Sequence, residues 1–299
     1  MKKMQFTQRP KALLALLAVF AFLAATLAGC GGNGANSNDI HVLSREDGSG
    51  TRSAFVELFG VEAQDSSGEK VDRTIDTAEI TNNTAVMMVT VQGDAKAIGY
   101  ISLGSLNGSV KALPIGGVAA SAATVRDNSY PICRPFNVVT KGDPLQVLSP
   151  AANDFYLYII SSNAKAEVDG NGYVSMDSSA EYESKGAAGK VTVSGSSSVS
   201  PLMEKLIEAY NKINPNVSVE LQTSDSSTGI SDTLSGACDI GMASRALKEG
   251  ELSQGAAETT IAMDGIAVIV NPANTIAGLT KEQVRDIYTG DITSWDELG

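Results

Sequence analysis

Short apolar runs alternate along this chain with longer segments whose apolar residues recur every three or four positions. The short runs are IHVLS (40–44), AIGYISL (97–103), VKALPIG (110–116), YPICRPFNVVTK (130–141), KVTVSG (190–195), VSVELQ (217–222), CDIGMAS (238–244), TTIAM (259–263) and GIAVIVN (265–271). They predict strands. Helical spacing is found in TRSAFVELF (51–59), AEITNNTAVMMVTVQGD (78–94), SPAANDFYLYIISS (149–162), SPLMEKLIEAYNKI (200–213), SSTGISDTLSG (226–236) and LTKEQVRDIYTG (279–290). In the fourth of these, Leu202, Leu206, Ile207 and Tyr210 share a face behind Ser200 as N-cap and Pro201 at the first turn. Thr280 and Gln283 have capping-box spacing, and Gly290 follows as a stop. Strands alternating with helices predict an α/β protein rich in parallel pairs. The polar, Gly/Ser-rich stretch 163–189 reads as a linker.

The start of the chain breaks this pattern. Residues 1–30 are a basic head, an apolar stretch and Leu27-Ala28-Gly29-Cys30, which reads as a lipoprotein export signal with Cys30 as the lipidated residue. GGNGANSND (31–39) reads as a flexible tether. This places the protein on the outer face of the cell membrane, held by lipid. The whole chain carries 22 basic against 34 acidic residues, and the export segment takes four of the basic ones. An acidic surface argues against nucleic acid, which needs basic stripes. Any anion site must therefore work through local dipoles and hydrogen bonds. Cys133 and Cys238 remain after Cys30, and they fit either a disulfide or two free thiols. One histidine and no CxxC argue against a metal site.

Three loops carry the candidate chemistry. Gly48-Ser49-Gly50-Thr51, Gly195-Ser196-Ser197-Ser198-Val199 and Asp225-Ser226-Ser227-Thr228-Gly229 each follow a predicted strand and open a predicted helix. The first N–H groups of a helix lack internal partners, and the macrodipole adds about half a positive charge there. Hydroxyls add neutral donors, and glycine lets backbone approach a ligand. Three such termini meeting at a point would wrap a tetrahedral oxyanion. Arg45 could add a two-pronged contact, with Asp47 orienting it. Taken singly, such a loop is more often ordinary helix capping; three in one chain, one with an Arg, shift the reading toward an anion.

VTVSGSSSVSPLMEKLIEAY, SDSSTGISDTLSGACDIGMASRAL, LTKEQVRDIYTGDITSWDEL and SREDGSGTRSAF together resemble the phosphate-binding lipoproteins (PstS-type) of bacterial phosphate ABC importers. The resemblance implies a two-lobed, type II periplasmic-binding-protein-like fold, each lobe a mixed sheet flanked by helices. It implies inorganic phosphate as ligand, bound by Arg45, Ser49, Gly50, Thr51, Ser197, Ser198 and Ser226, and an ABC permease as partner. No cofactor and no catalytic residue are implied. The order differs from the family: RxDGSGT opens this chain and SWDELG ends it, which reads as a circular permutation, the competing readings being a piece of a longer or tandem protein or two chains exchanging halves. One lobe would then comprise 38–103 plus 265–299, and the other 104–264, with hinge crossings near 103–110 and 262–267.

A second departure concerns selectivity. Arg245 stands where family members often carry an Asp that accepts the proton of hydrogen phosphate. It fits ligand contact or a surface salt bridge equally, and a hydroxyl, Asp225 or Asp264 could replace the acceptor. Sulfate or molybdate binding, or phosphate sensing without transport, are the alternatives of function. An enzyme is the less supported class: there is no GxSxG, GAAGK (186–190) lacks Walker spacing, and His41 lies in an apolar strand.

Overall fold

A computed structural model describes residues 38–298. The export signal, Cys30 and most of the tether lie outside the described residues. In chain order the strands are β1 (His41–Arg45), β2 (Glu62–Gln64), β3 (Lys70–Asp72), β4 (Glu79–Thr81), β5 (Ala97–Ser102), β6 (Lys111–Ala112), β7 (Cys133–Lys141), β8 (Val174–Ser175), β9 (Gly189–Ser196), β10 (Val217–Ser224), β11 (Ile240–Ala243) and β12 (Ala256–Val270). The helices are α1 (Gly50–Phe59), α2 (Thr84–Gly93), α3 (Ala122–Arg126), α4 (Pro144–Val147), α5 (Pro150–Ile159), α6 (Ser162–Gly170), α7 (Ser200–Ile213), α8 (Ser226–Ser235), α9 (Glu249–Ser253) and α10 (Lys281–Thr289). The expected α/β class holds, with a mixed sheet in the order β10-β9-β11-β7-β12-β5-β1-β4.

The sheet has two parallel arms joined by an antiparallel centre. β9 pairs in parallel with β10 and β11, and β1 with β4 and β5. Between them run the antiparallel pairs β11–β7, β7–β12 and β12–β5. TTIAM and GIAVIVN, expected as separate strands, are one strand, β12. Its first part pairs with β7 through Gly265, and its last part pairs with β5 from Ile266. A Cβ on Gly265 would stand 3.1 Å from Val125 and 3.2 Å from Leu103, so the strand passes from one arm to the other where it carries no side chain.

Two main cores flank this centre. Phe136, Phe155, Val193, Leu206 and Tyr210 pack in one. Val42, Phe55, Tyr100, Ile266 and Tyr288 pack in the other. Leu113, Ile115, Val125, Tyr130 and Ile132 belong to this second core. Cys133 and Met263 still pack against the second core, whereas Phe136 and Ala262 belong to the first, so the packing crosses between Cys133 and Phe136, not near 103–110, and again at Ala262–Met263. Apolar burial is worth about 25 cal/mol per Å², so core membership outweighs chain proximity in drawing such a boundary.

Two further expectations change. The stretch 163–189 is not a bare linker: it holds α6 and β8, and Ala164, Val168 and Tyr173 are buried in the first core. These apolar positions are thinly spread among polar ones, which hid the helix. AEITNNTAVMMVTVQGD divides into β4 and α2, because Asn83 caps the helix by accepting from the Val86 N–H.

Candidate functional site

Each of the three loops is shaped by a local rule. Ser49 is the N-cap of α1 and accepts from the Arg52 N–H. Asp225 is the N-cap of α8, its carboxylate taken up by the N–H and hydroxyl of Thr228. Gly195 has φ +136°, and a Cβ there would lie 2.4 Å from the Met242 carbonyl oxygen, so only glycine lets the α7 loop lie against β11. Ser200, expected as N-cap of α7, is its first helical residue, and its hydroxyl donates to the Ser196 carbonyl.

The three loops converge. Thr51 Oγ1 and Ser198 Oγ are 2.7 Å apart. The Ser227 N–H donates to the Gly48 carbonyl at 3.2 Å. A Cβ on Gly50 would come within 2.4 Å of Ser226 Oγ and 2.7 Å of Ser244 Oγ, so the α1 and α8 termini meet backbone against hydroxyl. Arg45, at the end of β1, donates from Nη2 to Ser197 Oγ at 3.0 Å and from Nη1 to Thr84 Oγ1 at 3.4 Å. Arg45, Ser49, Gly50, Thr51, Ser197, Ser198 and Ser226 are all buried. Seven sequence-predicted residues thus form one cluster, fed by the N-termini of α1, α7 and α8.

The cluster also holds residues that the sequence reading missed. Thr84, at the first turn of α2, brings a fourth helix terminus, with Ser197 Oγ 3.4 Å and Ser198 Oγ 3.3 Å away. Its Asn-Asn-Thr lead was the available signal. Ser196 donates to Ser244 Oγ at 2.9 Å, and the Ser244 N–H donates to Ser226 Oγ at 3.0 Å. A buried pair, Arg134 and Asp264, adjoins Ser244: Arg134 Nη1 donates to the Ser244 carbonyl at 3.1 Å.

Three supporting assignments change. Asp47 does not orient Arg45. It is exposed and accepts from Arg52 at 2.6 Å, while Glu46 takes Arg45 from Nε and Nη2 at 2.8 and 2.7 Å. The Ser49 N–H bond to the Glu46 carbonyl bends the chain so that Asp47 turns outward. Arg245 is buried, and both its terminal nitrogens donate to Glu251 at 2.8 Å. Asp225 faces Gly48 and is consumed by its own cap.

Electrostatics follow from this layout. Burial raises the Asp264 carboxyl, Arg134 and Ser102 pull it back, and the balance leaves it at about 6. Burial likewise lowers Arg134 to about 10 despite Asp264, so it remains charged at neutral pH. Two grooves open beside the cluster. One, of about 710 Å³, is walled by Arg52, Arg134 and Arg245 among others. The other, of about 570 Å³, is walled by Thr84, Ser105 and Ser197 among others. Cys133 and Cys238 are both free thiols. His41 is exposed and pairs with Asp94.

Residues 24–163 and 180–299 match the PBP superfamily domain model. The phosphate-binding protein PstS 2 of Streptococcus agalactiae is 51% identical over 264 residues, covering 88% of this chain and 89% of the relative. The phosphate-binding protein PstS 2 of Streptococcus pneumoniae is 44% identical over 88% of both chains. The crystal structure of a phosphate-binding protein of a phosphate ABC transporter from Streptococcus pneumoniae superposes with a TM-score of 0.67, at 44% identity, over 87% of this chain and all of that one. Phosphate-binding proteins of other bacteria match only 36–40% of this chain.

Proposed function

The chain belongs to the PBP superfamily and, within it, to the PstS phosphate-binding proteins, and on that premise we propose that it captures inorganic phosphate for an ABC permease. The observation that carries this is the buried meeting of Arg45 with the hydroxyls of three helix termini. The mutual bonds Thr51–Ser198 and Arg45–Ser197 join groups from opposite sides of the cluster. A phosphate oxygen placed among them would take the same donors, with two prongs from Arg45 and the N–H groups of Thr51, Ser198 and Ser226. Neutral donors in a water-poor site bind an anion strongly despite the acidic surface.

The rotated chain order is part of the proposal. Ile40 N–H donates to the Thr293 carbonyl at 2.8 Å, and Asp39 bridges to Ser294, so the SWDEL turn sits against the start of β1. Relatives with another order can align only in part, which the 36–40% matches support. Anchoring through Cys30 and work on the outer membrane face complete the reading. Among the described residues no helix is long and apolar enough to cross a membrane.

Arg245 favours a second reading, a different tetrahedral oxyanion. With Arg245 held by Glu251 and Asp225 consumed by its cap, the acceptors left beside the cluster for the proton of hydrogen phosphate are hydroxyl lone pairs and the Glu46 carboxylate, itself paired with Arg45. Calorimetric titration of residues 31–299 with phosphate and sulfate separates the two. Tight one-to-one phosphate binding with weak sulfate binding supports phosphate. Equal or tighter sulfate binding would replace it, and heat from neither anion would sink the oxyanion site.

A further inference from the structure

Arg134 and Asp264 stand where the chain changes core. Asp264 faces Arg134 across the β7–β12 ladder, one residue before β12 leaves β7 for β5. Both are buried. Arg134 Nε and Nη2 donate to one Asp264 oxygen at 3.4 and 3.3 Å. The other oxygen accepts from Ser102, the last residue of β5, at 2.9 Å and from the Gly104 N–H at 3.5 Å. The Arg134 guanidinium also sits 5.3 Å over the Phe136 ring. Asp264 therefore ties the antiparallel centre, through Arg134, to the arm that contains β5, and Arg134 extends that contact to Ser244 just after β11. Ser244 in turn bonds Ser196 before α7 and Ser226 at the start of α8.

A buried ion pair is weak evidence for stability, because desolvating two charges offsets most of their attraction. Its value lies in fixing geometry. Arg can serve Asp264 and a carbonyl at once because its donors form a rigid fork, whereas Lys offers one compact charge. We propose that Arg134 is a positioning residue of the anion site: by tying Ser244 to Asp264 at the strand crossing, it holds the α7 and α8 termini in the binding arrangement. This rests on the phosphate reading above. Besides Arg134, the titratable groups facing Asp264 are Tyr130, Cys133 and Tyr173, and Arg45 faces Arg134.

The test compares Arg134→Gln and Arg134→Lys with the wild type, by phosphate calorimetry at pH 8 and by melting without ligand. Amide hydrogen exchange is followed across 240–247. Arg134→Gln is expected to lose tenfold or more in affinity and to melt lower. Arg134→Lys keeps a charge beside Asp264 but not the bond to Ser244, so it is expected to melt near the wild type yet bind as poorly as Arg134→Gln. Exchange at the Ser244 N–H should quicken in both. Wild-type affinity in Arg134→Lys, or affinity losses that merely track melting, overturns the proposal. A wild type that binds no phosphate overturns the underlying reading, and the proposal with it.

Discussion

Replacing Arg45 by Ala removes a buried guanidinium that reaches Ser197, Thr84 and Glu46 together. In the phosphate complex that fork supplies two charge-assisted hydrogen bonds. Bonds to charged groups are worth about 1.5–3 kcal/mol each, so their joint loss is about 3–6 kcal/mol. The variant also leaves the Glu46 carboxylate without its partner near the anion, which pushes the loss toward the upper end. At about 1.4 kcal/mol per decade, the dissociation constant rises by roughly two to four decades. Arg45→Lys keeps the charge without the fork and is expected to fall between the two. Calorimetry on ligand-stripped protein, with melting as a check of folding, reads this directly. A folded Arg45→Ala protein within threefold of wild-type affinity would refute the placement of the ligand beside Arg45.

Gly195→Ala meets both a positive φ and the Met242 carbonyl, and is expected to cost about 2–4 kcal/mol of stability in denaturant unfolding. Gly50→Ala drives a methyl group into the buried Ser226 and Ser244 hydroxyls, so this overpacking should cost about 1–3 kcal/mol of stability, read by melting, and lower the affinity with it. Asp264 is raised from 3.8 to about 6 in the folded state, so its contribution to stability is full below pH 3.8 and is lost as pH rises through 6. Between pH 4.5 and 7.5 the wild type should lose about 2 kcal/mol relative to Asp264→Asn, measured by urea unfolding at both values. Parallel curves would contradict the raised carboxyl.

The anion cluster was legible because glycine and hydroxyl residues at a strand–helix junction have a direct physical use, and the loops of 48–51, 195–199 and 225–229 each show it. The partners of that cluster were not. Whether Glu46 or Asp47 turns toward Arg45 depends on a single turn of backbone that spacing does not encode. Thr84 was hidden because β4 runs into α2 with apolar residues that also suit one longer helix. Arg134 and Asp264 lie far apart in sequence and meet only through the register of β7 and β12. The same register makes one strand of 256–270, where the apolar pattern reads as two runs interrupted at Asp264. The early hinge crossing was misplaced because Leu113 to Ile132 pack by their apolar side chains, not by the order of the chain.

The central claim is that three helix termini and Arg45 hold one phosphate. A crystal structure of residues 31–299 grown with phosphate and without sulfate tests it most directly. The account predicts a single anion whose oxygens lie within hydrogen-bond distance of Arg45, Thr51, Ser197, Ser198 and Ser226. An anion bound elsewhere, or these side chains bonded only to one another at saturating phosphate, would contradict it.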